Sequence, residues 1–295
     1  MDELSRSFLP PSRALTKHTT MKNKLLALLG FILLSTPLAA TAQGQSGDFY
    51  YEFSDSGLSA VTIVGYTGPG GAVTIPAGLW DDDLQSMHPV KHIGYSAFGS
   101  VTTLTSVTIP SSVTSIGDWA FAGCTNLTSV TIPGSVTTIG GYAFAYSTRL
   151  TNITIPGSIT VIPNAVFASC SSLQGVFFKG NAPNLVLNVF DGATNAIVYY
   201  LPGATRWGAT FAGRPAVLWN PRVQTGDASF GVGSAGFGFN ITGTADIPIV
   251  VEASTTLAHD DWVRLQSLNL TNGAFYFSDP QWTNYPARNY RIRSP

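Results

Sequence analysis

The stretch LTSVTIPGSVTTIGGYAFAYSTR, Leu127–Arg149, decides the fold, because the chain says nearly the same thing on either side of it. LTSVTIPSSVTSIGDWAFAGCTN precedes it from Leu104, and LTNITIPGSITVIPNAVFASCSS follows from Leu150, a strict 23-residue period. A decayed fourth copy, LQGVFFKGNAPNLVLNVFDGATN, starts at Leu173. A period of this length marks a solenoid: a unit too small to bury its apolar edge alone stacks on its neighbours and closes a continuous core.

The apolar columns predict what that core contains. Val107, Val130, Ile153 and Val176 form one, and Ile109, Ile132, Ile155 and Phe178 a second. Ile116, Ile139, Ile162 and Leu185 form a third, and Phe121, Phe144, Phe167 and Phe190 a fourth, with Ile93, Ala97 and Phe98 one period upstream. L-x-x-V-x-I alternates as a β-strand does, Val107 and Ile109 inward and Ser106 and Thr108 outward. Pro110, Pro133 and Pro156 end each strand by removing a donor. In the second half, I-G-x-x-A-F predicts a Gly turn and an Ala-Phe pair packed inside a short helical or irregular arc. Coils about 4.8 Å apart stack the phenylalanines, each contributing on the order of 1.5–3 kcal/mol.

These units resemble the BspA-type leucine-rich repeat over about residues 90–195. The resemblance implies a right-handed leucine-rich-repeat coil with a parallel β-sheet, in surface proteins that bind host or partner-cell proteins. The L-x-x-L-x-L core survives as Leu104-x-x-Val107-x-Ile109. The Asn of ordinary repeats is missing, with Ser112, Ser135 and Ser158 nearest its place.

The solenoid is expected over 43–220 with both ends capped: by VTIVGYTGPGGAVTIP (Val61–Pro76) at the start and AIVYYLPGATRWGATFAGRPAVLW (Ala196–Trp219) at the close. From Asn220-Pro221 the texture changes to Gly-rich alternation and short strands between turn residues. A small antiparallel, sandwich-like β-module is expected over 221–295. It resembles a C-terminal module of secreted proteins from environmental bacteria.

Before the repeats, Met21-Lys22-Asn23-Lys24 leads into an apolar run, Leu25–Leu34, and the small-residue site Ala40-Thr41-Ala42. That is the order of a secretory signal peptide, so 1–42 reads as a leader with Met21 as its start. The run is too short to span a membrane, and no second one follows. Without 1–42, ten Lys and Arg face fourteen Asp and Glu. A mildly acidic chain with no basic stripe excludes a nucleic-acid partner.

Candidate chemistry is sparse. Cys124 and Cys170 sit at equivalent places two repeats apart, about 10 Å by coil spacing and beyond the roughly 7 Å reach of a disulfide. Two buried free thiols are therefore expected, although an exported chain would ordinarily pair them. The insertion LWDDDLQSMHPVKH (Leu79–His92) carries Asp81, Asp82, Asp83, His88 and His92. A metal site would want both histidines on one helix face. Pro89 breaks that helix, and a solvated loop is expected instead. His259-Asp260-Asp261 reads the same way. No motif of hydrolase, metalloprotease or phosphate-binding chemistry is present. No enzyme activity and no cofactor are expected.

What remains is surface. The outward residues Ser106, Thr108, Ser129, Thr131, Asn152, Thr154, Gly175 and Phe177 predict a flat face that docks a protein or glycan, or a sheet that Ser and Thr merely solvate. Trp119 and Tyr142, one period apart, are candidate aromatic anchors. A monomer at the cell surface or secreted, engaged in adhesion, is the first functional expectation. The alternative is a carbohydrate-directed accessory to polysaccharide breakdown, with Trp207, Trp219, Trp262 and Trp282 stacking on sugar rings.

Overall fold

A computed structural model describes residues 43–256 and 261–295. The leader reading on 1–42, and His259 and Asp260, lie outside the described residues.

Each coil has three sides. The first is the V-T-I strand. Gly71–Thr74, Leu104–Thr108 and Ser129–Thr131 pair in parallel, as do Asn152–Ile155, Gly175–Phe178, Ile197–Tyr200 and Arg214–Leu218. The register is the sequence period itself: Val107 faces Val130, and Ile153 faces Val176. The second side is a narrower ribbon, with Ser86–Ile93, Ser115–Ile116 and Thr138–Ile139 in one piece and Val161–Ile162 with Asn184–Leu185 in another.

The third side is the arc, and there the expectation of a short helix fails in favour of the irregular alternative. No α-helix occurs among the described residues. Each arc instead carries two left-handed residues, Trp119 (φ 60°) and Gly123 (φ 71°) in one coil, Tyr142 (φ 57°) and Tyr146 (φ 61°) in the next. Left-handed backbone costs a non-glycine residue roughly 1 kcal/mol or more. It turns alternate amides along the solenoid axis, where Phe121 N donates to Ala143 O (2.8 Å) and Phe144 N to Val166 O (3.1 Å). The same winding points the phenylalanines inward into one stack. Neighbouring ring centroids from Phe98 to Phe190 lie 5.0, 5.5, 6.0 and 5.7 Å apart.

Small polar residues tie coil to coil in place of the missing Asn. Ser135 Oγ donates to Val113 O at 2.7 Å, and Ser158 Oγ makes the same bond to Val136 O one period on. In a second column Cys124 Sγ, Ser147 Oγ and Cys170 Sγ each reach, at 3.1 Å, a carbonyl 26 residues back. Both cysteines are free and buried. Burial pushes each thiol up to about 12 against a weaker downward pull from a backbone amide.

Both sheet ribbons are interrupted at one junction. No ladder joins Ser129–Thr131 to Asn152–Ile155, or Thr138–Ile139 to Val161–Ile162. The arc runs across this seam unbroken, through Tyr142 N to Asn164 O (3.0 Å) and Phe144 N to Val166 O. The coils there are held on their arc side.

Two sequence expectations are corrected. Leu185 falls in an apolar column of the sequence but is 42% exposed; its two-residue strand is the last of its ribbon and pairs only with Val161–Ile162. The insertion is no solvated loop. Gly78–Asp81 and Ser86–Ile93 form an antiparallel hairpin that buries Asp81 and His88. Asp81 accepts from Tyr51 Oη (2.7 Å) and Leu84 N (2.7 Å), and His88 Nε2 bonds Ser86 Oγ (2.7 Å). These partners make burial of the carboxylate tolerable. Burial alone would raise the Asp81 carboxyl, yet the Tyr51 and backbone donors leave it below its ordinary value. Among the described residues no His, Cys, Asp and Glu group has a metal-holding arrangement.

At the start, Gln43–Ser46 and Phe49–Phe53 add antiparallel strands to Val61–Tyr66, which pairs in parallel with Ser86–Ile93. The C-terminal residues form two antiparallel sheets. Arg222–Gln224, Gly231–Gly233, Gly236–Thr242 and Ala274–Asp279 make one, and Pro248–Ser254, Val263–Asn269 and Asn289–Arg293 the other. Phe239, Ile241, Ile249, Val251 and Phe277 fill the space between them.

Candidate binding site

The outward column of the V-T-I strands reads Thr108, Thr131, Thr154, Phe177, Tyr199, Val217 in register. It changes from hydroxyl to apolar half-way along, and the C-terminal module sits on the apolar half. Phe177 and Tyr199, each 5% exposed, belong to the same buried cluster as Phe239, Ile249 and Val251. Phe177 stacks on Tyr199 (4.7 Å, 13°) and meets Trp219 edge-on (6.4 Å, 86°), while Trp219 Nε1 donates to Pro248 O at 2.8 Å. The reading of Gly175 and Phe177 as exposed face residues is thereby corrected: both are buried. Gly175 is needed for this packing. A Cβ there would stand 2.5 Å from Asn152 Oδ1 and 2.7 Å from the Phe177 ring.

Where the module's edge overhangs the hydroxyl half, a cleft of about 840 Å³ opens. Its floor is Thr128–Ile132 and Thr151–Thr154, the two strands that flank the seam. Its walls are Tyr199, Tyr200 and Trp219 on the solenoid side and Arg264, Ile292 and Arg293 from the module, with Lys179 at the rim. Burial first, and the charge of Asp246 second, hold the Tyr199 phenol above its usual range. A second recess of about 580 Å³ on the flank of the module shares Asn152 and Tyr199 and adds the amides of Gln174, Asn195 and Asn269.

The eight residues singled out from sequence therefore separate into three groups. Ser129, Thr131, Asn152 and Thr154 line the cleft. Ser106 and Thr108 continue the same sheet face one strand outside it. Trp119 and Tyr142 belong to the arc, where they stack on each other at 4.3 Å and 4° with both rings half-buried. Tyr142 Oη also accepts from Asn164 Nδ2 at 3.3 Å.

Of the four candidate sugar-stacking tryptophans, only Trp219 reaches the cleft. Trp207 stacks on Tyr200 (5.1 Å), and Arg291 lies 4.3 Å above Trp262. Trp282 sits against Phe237 at 6.5 Å. Reading the sequence by repeat missed Lys179, Arg264 and Arg293, two of which lie outside the repeats. The aromatic pair Phe177 and Tyr199 at outward positions was the available signal that something covers that end of the sheet.

A family model for the BspA-type leucine-rich repeat region matches residues 88–203 in six copies. The match lies within the stacked coils, which run from Gly71–Thr74 to Arg214–Leu218. The chain belongs to the BspA-type leucine-rich repeat family. It is 30% identical to a leucine-rich repeat protein of T. pallidum, covering 54% of this chain and 71% of that one, with a TM-score of 0.47. It is also 30% identical to a leucine-rich repeat protein of Bacteroides capillosus, over 47% of this chain and 99% of that one, with a TM-score of 0.42. A leucine-rich cell surface protein of Faecalibacterium prausnitzii is 24% identical, over 56% and 55% of the two chains, with a TM-score of 0.41. No curated protein matches. In this BspA-type array the six family repeats supply the floor of the cleft, and residues beyond the matched region supply part of its wall.

Proposed function

We propose that this protein is a non-enzymatic interaction protein, exported to the cell surface or beyond, that binds a protein or glycan partner on the outer face of its parallel sheet. The cleft carries this reading: four of the outward Ser, Thr and Asn residues form the floor of a walled recess in place of an open surface. Its volume lies within the roughly 300–1,000 Å³ of ordinary ligand sites. Uncharged hydroxyls and amides on the outer faces of the two strands offer donors and acceptors without a large desolvation cost, and aromatic walls supply contact area. The signal-peptide order of the sequence from Met21 to Ala42 and membership of the BspA-type family support export and a role in adhesion.

Binding of the purified protein to immobilised matrix proteins, whole cells and a glycan array tests the reading. Capture is expected, and it should weaken when Thr131 and Thr154 are both replaced by Leu, which fills the floor and removes its hydroxyls without changing its charge. No capture on any surface, or capture indifferent to that double substitution, would sink it.

A further inference from the structure

The cleft has a charge that the chain as a whole does not. Lys179, Arg264 and Arg293 line it, and among the described residues no Asp or Glu side chain does. Lys179 and Arg264 are exposed and form no ion pair with any described residue. Arg264 stands opposite Glu252 in register, but Glu252 is already bonded twice, to Arg291 Nε (2.8 Å) and Arg293 Nε (2.5 Å). One buried carboxylate is thus shared by two guanidinium groups, which leaves that wall positive. The floor, in contrast, is uncharged: Thr131, Asn152 and Thr154 offer hydroxyls and an amide from the two strands beside the seam.

We infer that the cleft takes an acidic glycan, a short run of sugar rings bearing carboxylate or sulfate groups. The inference rests on the binding reading above and names the class of partner. Ring hydroxyls match the Thr and Asn floor, a ring face matches Trp219, and the acidic groups match Lys179 at the rim and Arg264 and Arg293 on the module wall. An acidic peptide shares the charge, and its backbone also hydrogen-bonds a hydroxyl floor, but a run of acidic residues has no ring face to set against Trp219, so poly-glutamate separates the two. A neutral glycan shares the floor but leaves Lys179 and Arg264 without a partner. A cationic cleft in an otherwise acidic chain also steers an anionic ligand to this one place.

The test is calorimetric titration of the purified protein with oligogalacturonate for the carboxylate form, heparin oligosaccharide for the sulfate form, dextran and poly-glutamate. At least one anionic glycan should bind, with affinity falling as salt rises, while dextran and poly-glutamate do not. The variant K179E/R264E should weaken binding by at least about tenfold. Both side chains are exposed and unpaired, so an unchanged thermal midpoint will show the fold intact. Arg293 is left alone because it holds Glu252. Dextran binding as well as the charged glycans, poly-glutamate binding as well, neither charged glycan binding, or an indifferent double variant would each overturn the inference. Capture of a protein partner that depends on Thr131 and Thr154 but not on Lys179 and Arg264 would overturn it too, while leaving the broader binding reading standing.

Discussion

Phe177 is where the repeat array and the C-terminal module hold each other, and removing its ring should separate their stabilities. The side chain is buried between Tyr199 and Trp219 and shares a cluster with module residues. Truncation of a buried Phe to Ala costs about 3–5 kcal/mol. Phe177 also borders the cleft, so water can enter the space left behind, and the lower end, about 3 kcal/mol, applies. At about 1.4 kcal/mol per factor of ten, Phe177→Ala should raise the opening equilibrium of the interface by about two orders of magnitude. Hydrogen exchange read by mass spectrometry resolves where the loss falls. Amides of Ile249 to Ser254 should exchange about 100-fold faster, while the arc amides of Phe121 and Phe144, tied to the next coil, keep their protection. Equal acceleration in both places would mean that module and array open as one unit. No acceleration would mean that Phe177 does not hold the interface.

Other perturbations address the core, the thiols and the module's ion pair. Phe144→Ala empties the middle of the ring stack and should cost about 3–5 kcal/mol, seen as a lowered thermal midpoint with early loss of exchange protection in the arcs. The native protein should resist thiol reagents at pH 8, because burial holds both thiols up at about 12, and should yield two free thiols once denatured; zero thiols would contradict the coil register. Burial works to raise the Glu252 carboxyl, but the hydrogen bonds and charges of Arg293 and Arg291 outweigh it and leave it below its ordinary 4.5. A depressed carboxyl stabilises the fold above that ordinary value and stops doing so as pH falls through the folded value. Thermal midpoints should therefore drop as the solution is acidified below about 4.5, and Glu252→Gln should lower the neutral-pH midpoint and flatten that part of the profile.

The array was legible from sequence because each coil repeats one environment, so four apolar columns were four independent votes for the same register. Phe121, Phe144 and Phe167 stack where the period put them. The errors fell where a residue's surroundings change while its place in the period does not. Phe177 occupies the slot of Thr108, Thr131 and Thr154, and only contact with a module beginning more than forty residues later makes that slot interior. Leu185 matches its column, yet its ribbon has no strand beyond it. The Asp81 hairpin closes on Tyr51, thirty residues upstream, a pairing no local pattern announces. The candidate site was half visible for the same reason: its floor is periodic, whereas Arg264 and Arg293 arrive from strands that follow no repeat.

The place where the module docks makes the array a ruler. The module rests on the outer faces of Gly175–Phe178, Ile197–Tyr200 and Arg214–Leu218, so nothing in its seat depends on how many coils come earlier. Duplicating or deleting one 23-residue unit upstream would move the free edge of the floor by one strand spacing, about 4.8 Å, and leave the charged wall unchanged. The number of units thus sets the length of the floor and the strands of the module set its wall, two changes that do not interfere.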